Sequence, residues 1–333
     1  MKSHQVTKFR QSFWRAPGRG SSNKKNKIIF VVGPTAAGKS RIAVSLAQKI
    51  NAEIISCDSM QVYQGMDIIT SRPSAILRKR VKHHLVSVIA PVKEYNVAQY
   101  RLDALKKIKE ISRREKIPLF VGGSGLYMSI LIDGIFGLGR QDKGIRKRLY
   151  QEAGQEGGAY LHKKLQAVDP EAAAKIHPND TRRIVRALEV FQRCGRPISQ
   201  LQKERKGLSD EYEARIFCLD MGRDRLYQRI DSRVEKMFKQ GLLAEVKRLL
   251  KLKLSKTAAC AIAVKELKGY FAGLYDLEEA KRLTKKNTRN YAKRQLTWFR
   301  KDKRIEWIRV NDKETPASVA NRIVKKLKLA HSS

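Results

Sequence analysis

The sequence predicts an α/β fold: a parallel sheet flanked by helices, with an all-helical module inserted into it. Three observations predict it. Short apolar runs of strand length stand at 28–32, 53–57, 117–121, 215–221 and 305–310, each closed by a turn or polar break. Longer stretches with helical apolar spacing separate the first three, an alternation that calls for parallel strands. Between residues 138 and 214 the strand-like runs stop, and the composition becomes helical and highly charged.

The first run, 28–32, breaks at Gly33-Pro34 and leads into GPTAAGKS. Gly33, Gly38, Lys39 and Ser40 fit G-x-x-x-x-G-K-S, and Ile42, Val44, Leu46, Ala47 and Ile50 then keep helical spacing. Strand, glycine loop and helix in that order make the fold P-loop NTPase-like. Residues Gly33, Pro34, Thr35, Ala36, Ala37, Gly38, Lys39 and Ser40 form a candidate pyrophosphate cradle. Glycines let backbone N–H groups converge on phosphate oxygens, and the helix N-terminus adds positive potential. Lys39 supplies a mobile charge, and the Ser40 hydroxyl is a candidate ligand for Mg²⁺.

Composition bounds the partners. Of 333 residues 71 are Lys or Arg and 32 Asp or Glu, a net charge of +39. That excess exceeds what solubility needs and points to a polyanion such as nucleic acid, although a generally basic proteome accounts for part of it. At 42% hydrophobic the chain has enough apolar content for a sizeable core. Cys57, Cys194, Cys218 and Cys260 form no C-x-x-C pair, so neither a zinc site nor a disulfide framework is suggested. A reducing, cytoplasmic compartment is expected. No apolar run approaches a membrane span, so no membrane partner is expected.

Residues 1–26 are a basic arm without an acidic residue, expected to be disordered. It lacks the apolar core of a secretory signal; an RNA-touching arm or a start codon placed too early fits it better than a transit peptide. The core is expected at 27–137 and 215–330, with the helical module at 138–214. The second strand ends at Asp58-Ser59, where carboxyl ends of parallel strands face a ligand crevice. A carboxylate there suits a proton acceptor or a magnesium partner, or else caps a helix. The mixed segment 59–74 reads as a substrate-facing loop. His83 and His84 diverge as neighbours, and packing fits them better than metal binding.

Residues 96–116 read as a basic amphipathic helix capped by Asn96. Gly122, Gly123 and Gly125 after the third strand read as backbone approaching ligand, or as a plain turn. Gly134, Gly137 and Gly139 mark a boundary to the module. There Asp169-Pro170 and Asp180 start helices, and Ile184, Leu188 and Phe191 make a buried stripe. Residues 224–250 read as one helix carrying Arg225, Arg229 and Arg233 at i, i+4 and i+8. Such a stripe is costly unless anions meet it, with Asp231 and Glu235 available. Residues 281–304 carry eleven Lys or Arg with Tyr291, Trp298 and Phe299, a pattern suited to nucleic-acid contact.

GPTAAGKS, DSMQVYQGMDI-x-T, VGGSGLY, HPNDTRRIVRALEVF and YAKRQLTWFR occur in an order and spacing that resemble the tRNA dimethylallyltransferase (tRNA isopentenylpyrophosphate transferase) family, in its bacterial type. The resemblance covers about residues 27–310. It implies transfer of a dimethylallyl group from dimethylallyl pyrophosphate to N6 of the adenosine 3′ of the anticodon. The loop, although typical of ATP users, would then hold the pyrophosphate leaving group with Mg²⁺. Asp58 matches the general base, and Thr35 and Arg233 match catalytic pyrophosphate-side residues. Ser59, Met60 and Gln61 match the segment that meets the target base. Ser124, Arg146, the run Arg182, Arg183, Ile184, Val185 and Arg186, then Cys260 and Lys265, and Lys293, Arg294, Gln295, Trp298 and Arg300 match tRNA-contact positions. The module matches the part that clasps the anticodon stem-loop. A monomer is expected.

Four positions depart from the family pattern: Ile69 and Ala263 replace glycines, Val264 replaces a tyrosine, and Ser124 stands for a threonine. A relative acting on free adenine nucleotides would not need the helical module or the basic C-terminal helix. A small-molecule kinase would consume ATP.

Overall fold

The computed structural model describes residues 26–136 and 142–329, which leaves residues 1–25 of the basic arm and Gly137 and Gly139 outside the described residues. Asn26, assigned to the arm by sequence, begins the first strand. It divides into two compact units, one ending at Ile132 and resuming at Glu211, the other Asp133–Asp210.

The larger unit is built on six parallel strands: β1 (Asn26–Val32), β2 (Ala52–Ser56), β3 (His83–His84), β4 (Ile117–Gly122), β5 (Tyr212–Asp220) and β6 (Ile305–Arg309). Their order is β3-β2-β4-β1-β5-β6. β1 is central, with Val32 level with Gly122 on one side and Cys218 on the other. Ile28, Ile29, Phe30, Val31 and Val32 are fully buried, which is why this strand reads as unbroken apolar sequence. Residues 212–214, assigned to the module by sequence, belong to β5.

Helix α1 (Lys39–Ile50) leaves the loop after β1 and buries Ile42, Ala43, Val44, Leu46, Ala47 and Ile50. Helices α2 (Ala75–Arg80), α3 (Val97–Arg113) and α4 (Gly125–Asp133) follow in chain order. Asn96 caps α3, its side chain accepting the N–H groups of Ala98 and Gln99. At the sheet edge Glu53 is buried and accepts from His84 at 2.7 Å, Arg114 at 2.7 Å and Lys116 at 3.1 Å. His84 is thus packed and bonded within the protein, as the sequence reading has it.

The second unit contains α5 (Lys143–Glu156), α6 (Gly158–Val168), α7 (Pro170–Lys175), α8 (Thr181–Cys194) and α9 (Ile198–Lys203). Asp169 and Asp180 cap α7 and α8. The buried stripe of α8 differs from the expected one. Ile184, Val185 and Leu188 face the core, whereas Phe191 is only partly buried.

After β5 come α10 (Arg223–Lys239), α11 (Leu242–Leu250), α12 (Val264–Phe271), α13 (Leu277–Arg300) and, beyond β6, α14 (Pro316–Leu329). The single helix expected over 224–250 is two. Gly241, at φ +98°, takes a left-handed conformation that ends one helix and starts the next. Helix α14 packs on α1 and closes the core with Val319, Ala320, Ile323 and Leu327.

Candidate active site

A cavity of about 990 Å³ opens within the larger unit, at the carboxyl ends of the strands. The phosphate loop forms one wall. Gly33 has φ +142°, and a Cβ there would come within 2.8 Å of the Leu219 carbonyl, so only glycine fits. Gly38 precedes α1 in a left-handed conformation, with no side chain capping the helix. The first-turn N–H groups of α1 are thus left for a ligand to satisfy. Thr35, Ala36, Gly38, Lys39 and Ser40 line the cavity. Gly33, Pro34 and Ala37 instead shape the loop. The Ala37 N–H donates to the Pro34 carbonyl, and the Ala37 side chain is buried.

Lys39 donates to the carbonyls of Gly33 (3.0 Å) and Pro34 (2.7 Å). Burial pulls its pKa down to about 8; Asp58 opposes that and Arg233 adds to it. These couplings place Lys39, Asp58 and Arg233 in one electrostatic neighbourhood. Burial also lowers the pKa of Arg233, with Asp58 opposing and Arg229 assisting, yet a guanidinium stays charged at neutral pH.

The arginine stripe on α10 resolves residue by residue. Arg225 donates to the carbonyls of Val310 and Asn311 and pairs with Asp312. Arg229 donates to the Ala36 carbonyl at 2.9 Å and braces the phosphate loop. Arg233 lines the cavity and makes no hydrogen bond or ion pair with the described residues. Asp231 and Glu235, available in sequence as counter-ions, pair instead with Arg289 and Lys285 of α13.

Asp58 follows β2. Its Oδ1 accepts the N–H of Met60 at 2.9 Å and of Gln61 at 3.4 Å. No helix follows Asp58, so the capping alternative fails: the carboxylate instead holds the amides of a turn, and it lines the cavity with Ser59, Met60 and Gln61. Ser40 lines the same cavity. A hydroxyl at the helix start and a nearby carboxylate are hard oxygen donors, so the donor set fits Mg²⁺ held chiefly by phosphate oxygens.

The glycines after β4 approach protein, not ligand alone. A Cβ on Gly122 would stand 1.9 Å from the Cys57 carbonyl, and one on Gly125 2.1 Å from the Trp298 ring. Gly123 makes room for Gln295, whose Nε2 donates to the Gly123 carbonyl at 2.9 Å and whose Oε1 accepts the Thr35 N–H at 2.8 Å.

The remaining residues matched to tRNA contacts divide. Lys265, Lys293, Arg294 and Arg300 are exposed, Trp298 is 38% exposed, and Cys260 lines the cavity. Ser124 caps α4 by accepting the Tyr127 N–H, and does not line the cavity. In the second unit Arg182 and Arg183 are exposed, but Ile184 and Val185 are fully buried core and present no side chain to a ligand. Arg146 and Arg186 both pair with the buried Glu189, at 2.9 Å and 2.8 Å.

Of the departures, Ile69 is mild, because it lacks a positive φ. Ala263 is not: it is buried at φ +80°, a region that favours glycine. Tyr291, legible in the sequence only as an aromatic of the basic run, lines the cavity and lies close enough to Asp58 for that carboxylate to add to the rise in its pKa that burial causes. Its position two residues before Lys293 in the aromatic-basic run was the available signal.

Fold and site together define a phosphate-loop α/β protein in which an anion cradle, an arginine and a carboxylate share one cavity. The profile described as IPP transferase matches residues 61–302, and one described as isopentenyl transferase matches 26–87. The chain belongs to the IPP transferase family. It is 46% identical over 300 residues to the tRNA dimethylallyltransferase of Carboxydothermus hydrogenoformans, covering 90% of this chain and 96% of that one. The corresponding protein of Thermotoga maritima is 46% identical over 285 residues, covering 84% and 92%. Among solved structures, the tRNA isopentenylpyrophosphate transferase of Bacillus halodurans is 39% identical with a TM-score of 0.66, covering 92% and 98%. A eukaryotic dimethylallyltransferase acting on tRNA is 29% identical with a TM-score of 0.76, covering 90% and 77%.

Proposed function

We propose that this chain transfers a dimethylallyl group from dimethylallyl pyrophosphate to N6 of the adenosine 3′-adjacent to the anticodon of tRNA, releasing pyrophosphate. One observation carries the proposal: Asp58 lines the same cavity as Lys39, Ser40 and Arg233. Family membership and the net charge of +39 support tRNA as the acceptor.

The chemistry assigned to these residues balances. The adenine N6 attacks the allylic carbon, a C–N bond forms, the C–O bond to pyrophosphate breaks, and Asp58 takes the N6 proton. An exocyclic amine is a weak nucleophile, so proton removal accompanies bond formation. Asp58 keeps one oxygen on the Met60 and Gln61 amides, which fixes the carboxylate while the other oxygen serves as acceptor. Lys39, Arg233 and the first-turn amides of α1 stabilise the charge growing on the leaving group. Ser40 would hold Mg²⁺, which when bound adds Lewis-acid neutralisation of the same charge. Exposed cations on α13, such as Lys293, Arg294 and Arg300, would meet RNA phosphates, and Trp298 offers a stacking surface.

The test is incubation of the full chain with dimethylallyl pyrophosphate, Mg²⁺ and unmodified tRNA with adenosine 3′ of the anticodon, followed by nucleoside mass spectrometry. N6-(dimethylallyl)adenosine is the expected product. Product from free adenine nucleotides only, or none from either, would overturn the reading.

A further inference from the structure

Glu245, in the first turn of α11, is buried. Its carboxylate accepts three successive backbone amides from a distant loop. Asp67 N–H donates to Oε2 at 3.0 Å, Ile68 N–H lies between Oε1 (3.1 Å) and Oε2 (3.0 Å), and Ile69 N–H donates to Oε1 at 2.9 Å. Three amides aimed one way at a buried carboxylate, with Ile69 itself buried, are satisfied together by that one anion.

The turn so held continues into the cavity wall, which Ile69, Thr70 and Ser71 line together with Gln61. Thr70 is fixed by its hydroxyl on the Met66 carbonyl at 2.6 Å. Its own carbonyl accepts Gln61 Nε2 at 3.5 Å, while Ser56 Oγ donates to Gln61 Oε1 at 3.3 Å. These two contacts set which end of the Gln61 amide is which. An amide fixed in that way keeps one N–H and one lone pair free, the complement of an adenine edge.

We infer that Glu245 is a positioning residue for the acceptor base: by holding the 67–69 turn it fixes the Gln61 amide, and with it the selection of adenine. The inference rests on the prenyl-transfer reading above. No contact between Glu245 and substrate is involved, and the phosphate loop is not part of the relay.

A double-mutant cycle tests this, with Glu245→Gln, Gln61→Ala and the pair assayed on tRNA and dimethylallyl pyrophosphate. Glu245→Gln keeps the size but replaces one acceptor by a donor. Its kcat/KM for tRNA is expected to fall tenfold or more, with KM for dimethylallyl pyrophosphate within twofold of wild type. The pair is expected to fall no further than Gln61→Ala alone. Should Glu245→Gln fail to fold by circular dichroism, Glu245→Asp carries the same cycle. Fully additive losses, parallel changes in both KM values, or a variant within twofold of wild type would overturn the inference while leaving an active wild type. An inactive wild type would overturn the prenyl-transfer reading, and this inference with it.

Discussion

Gln295 and Thr35 lie 260 residues apart in sequence, yet the Gln295 amide oxygen accepts the Thr35 N–H at 2.8 Å. The same amide donates to Gly123, so one side chain of α13 ties the phosphate loop to the end of β4. The resemblance implies a tRNA contact for Gln295; its hydrogen-bonding groups are engaged inside the protein. Replacing it by Ala leaves a part-buried amide and carbonyl unpaired, at about 1–3 kcal/mol. Gln295→Ala is therefore expected to weaken dimethylallyl pyrophosphate binding roughly fivefold to a hundredfold, by that same energy. Titration calorimetry with the pyrophosphate and with tRNA separates this from a lost RNA contact, which would move only the tRNA affinity.

Lys39 makes the cradle sensitive to pH. Its pKa in the free site is lowered to about 8 by burial, and a bound pyrophosphate would hold the proton on. The charge is thus present below pH 8 and lost from the free site as pH rises above it. Affinity for dimethylallyl pyrophosphate should be flat from pH 6.5 to 7.5 and fall by up to about tenfold between pH 8 and 9. In Lys39→Met the affinity should be weaker at every pH and lack this step, as calorimetry across the range would read.

Ala263 stores strain that a glycine would release. Its left-handed backbone is held because its N–H donates to Glu266 at 2.8 Å, which in turn accepts from Asn287 at 2.5 Å. A non-glycine residue there costs about 1–2 kcal/mol, partly offset by the larger unfolded-state entropy of glycine. Ala263→Gly is expected to stabilise the chain by about 0.5–1 kcal/mol in urea unfolding.

In the helical unit, Glu189 is the buried carboxylate on which Arg186, Arg146 and the Asp142 amide converge. Burial alone would raise its pKa, but the bonds from Arg186 and Arg146 outweigh it and the net shift is downward. A lowered carboxylate contributes stability above its unfolded value near pH 4.5, and this is lost as pH falls through the folded value. Glu189→Ala should cost about 3 kcal/mol, the low end for a broken buried pair, because both arginines are partly exposed and rehydrate. Urea unfolding at pH 7 and pH 4 measures both effects, with the difference from wild type shrinking at the lower pH.

What the sequence made legible is local. The phosphate loop is readable because strand, glycines and helix are contiguous, and Asp58 because it ends an apolar run. Gly241 is a helix break that the sequence masks, because the apolar spacing continues on both sides of it. The Gln295 to Thr35 and Glu245 to Ile69 contacts were not legible, since they join segments more than 170 residues apart through side chains with no local signature. The counter-ions of α10 mislead for a related reason. Asp231 and Glu235 are near Arg229 and Arg233 along the chain, but helix rotation turns them toward α13.

Asp58 is the central claim, and Asp58→Asn is its sharpest test. Asparagine retains an oxygen to accept the Met60 and Gln61 amides, so the turn is kept while proton acceptance is lost. Single-turnover formation of N6-(dimethylallyl)adenosine, at saturating tRNA and dimethylallyl pyrophosphate, should fall by about 10²–10⁴ with both substrates still bound. A rate within tenfold of wild type would contradict the assignment of Asp58 as the proton acceptor.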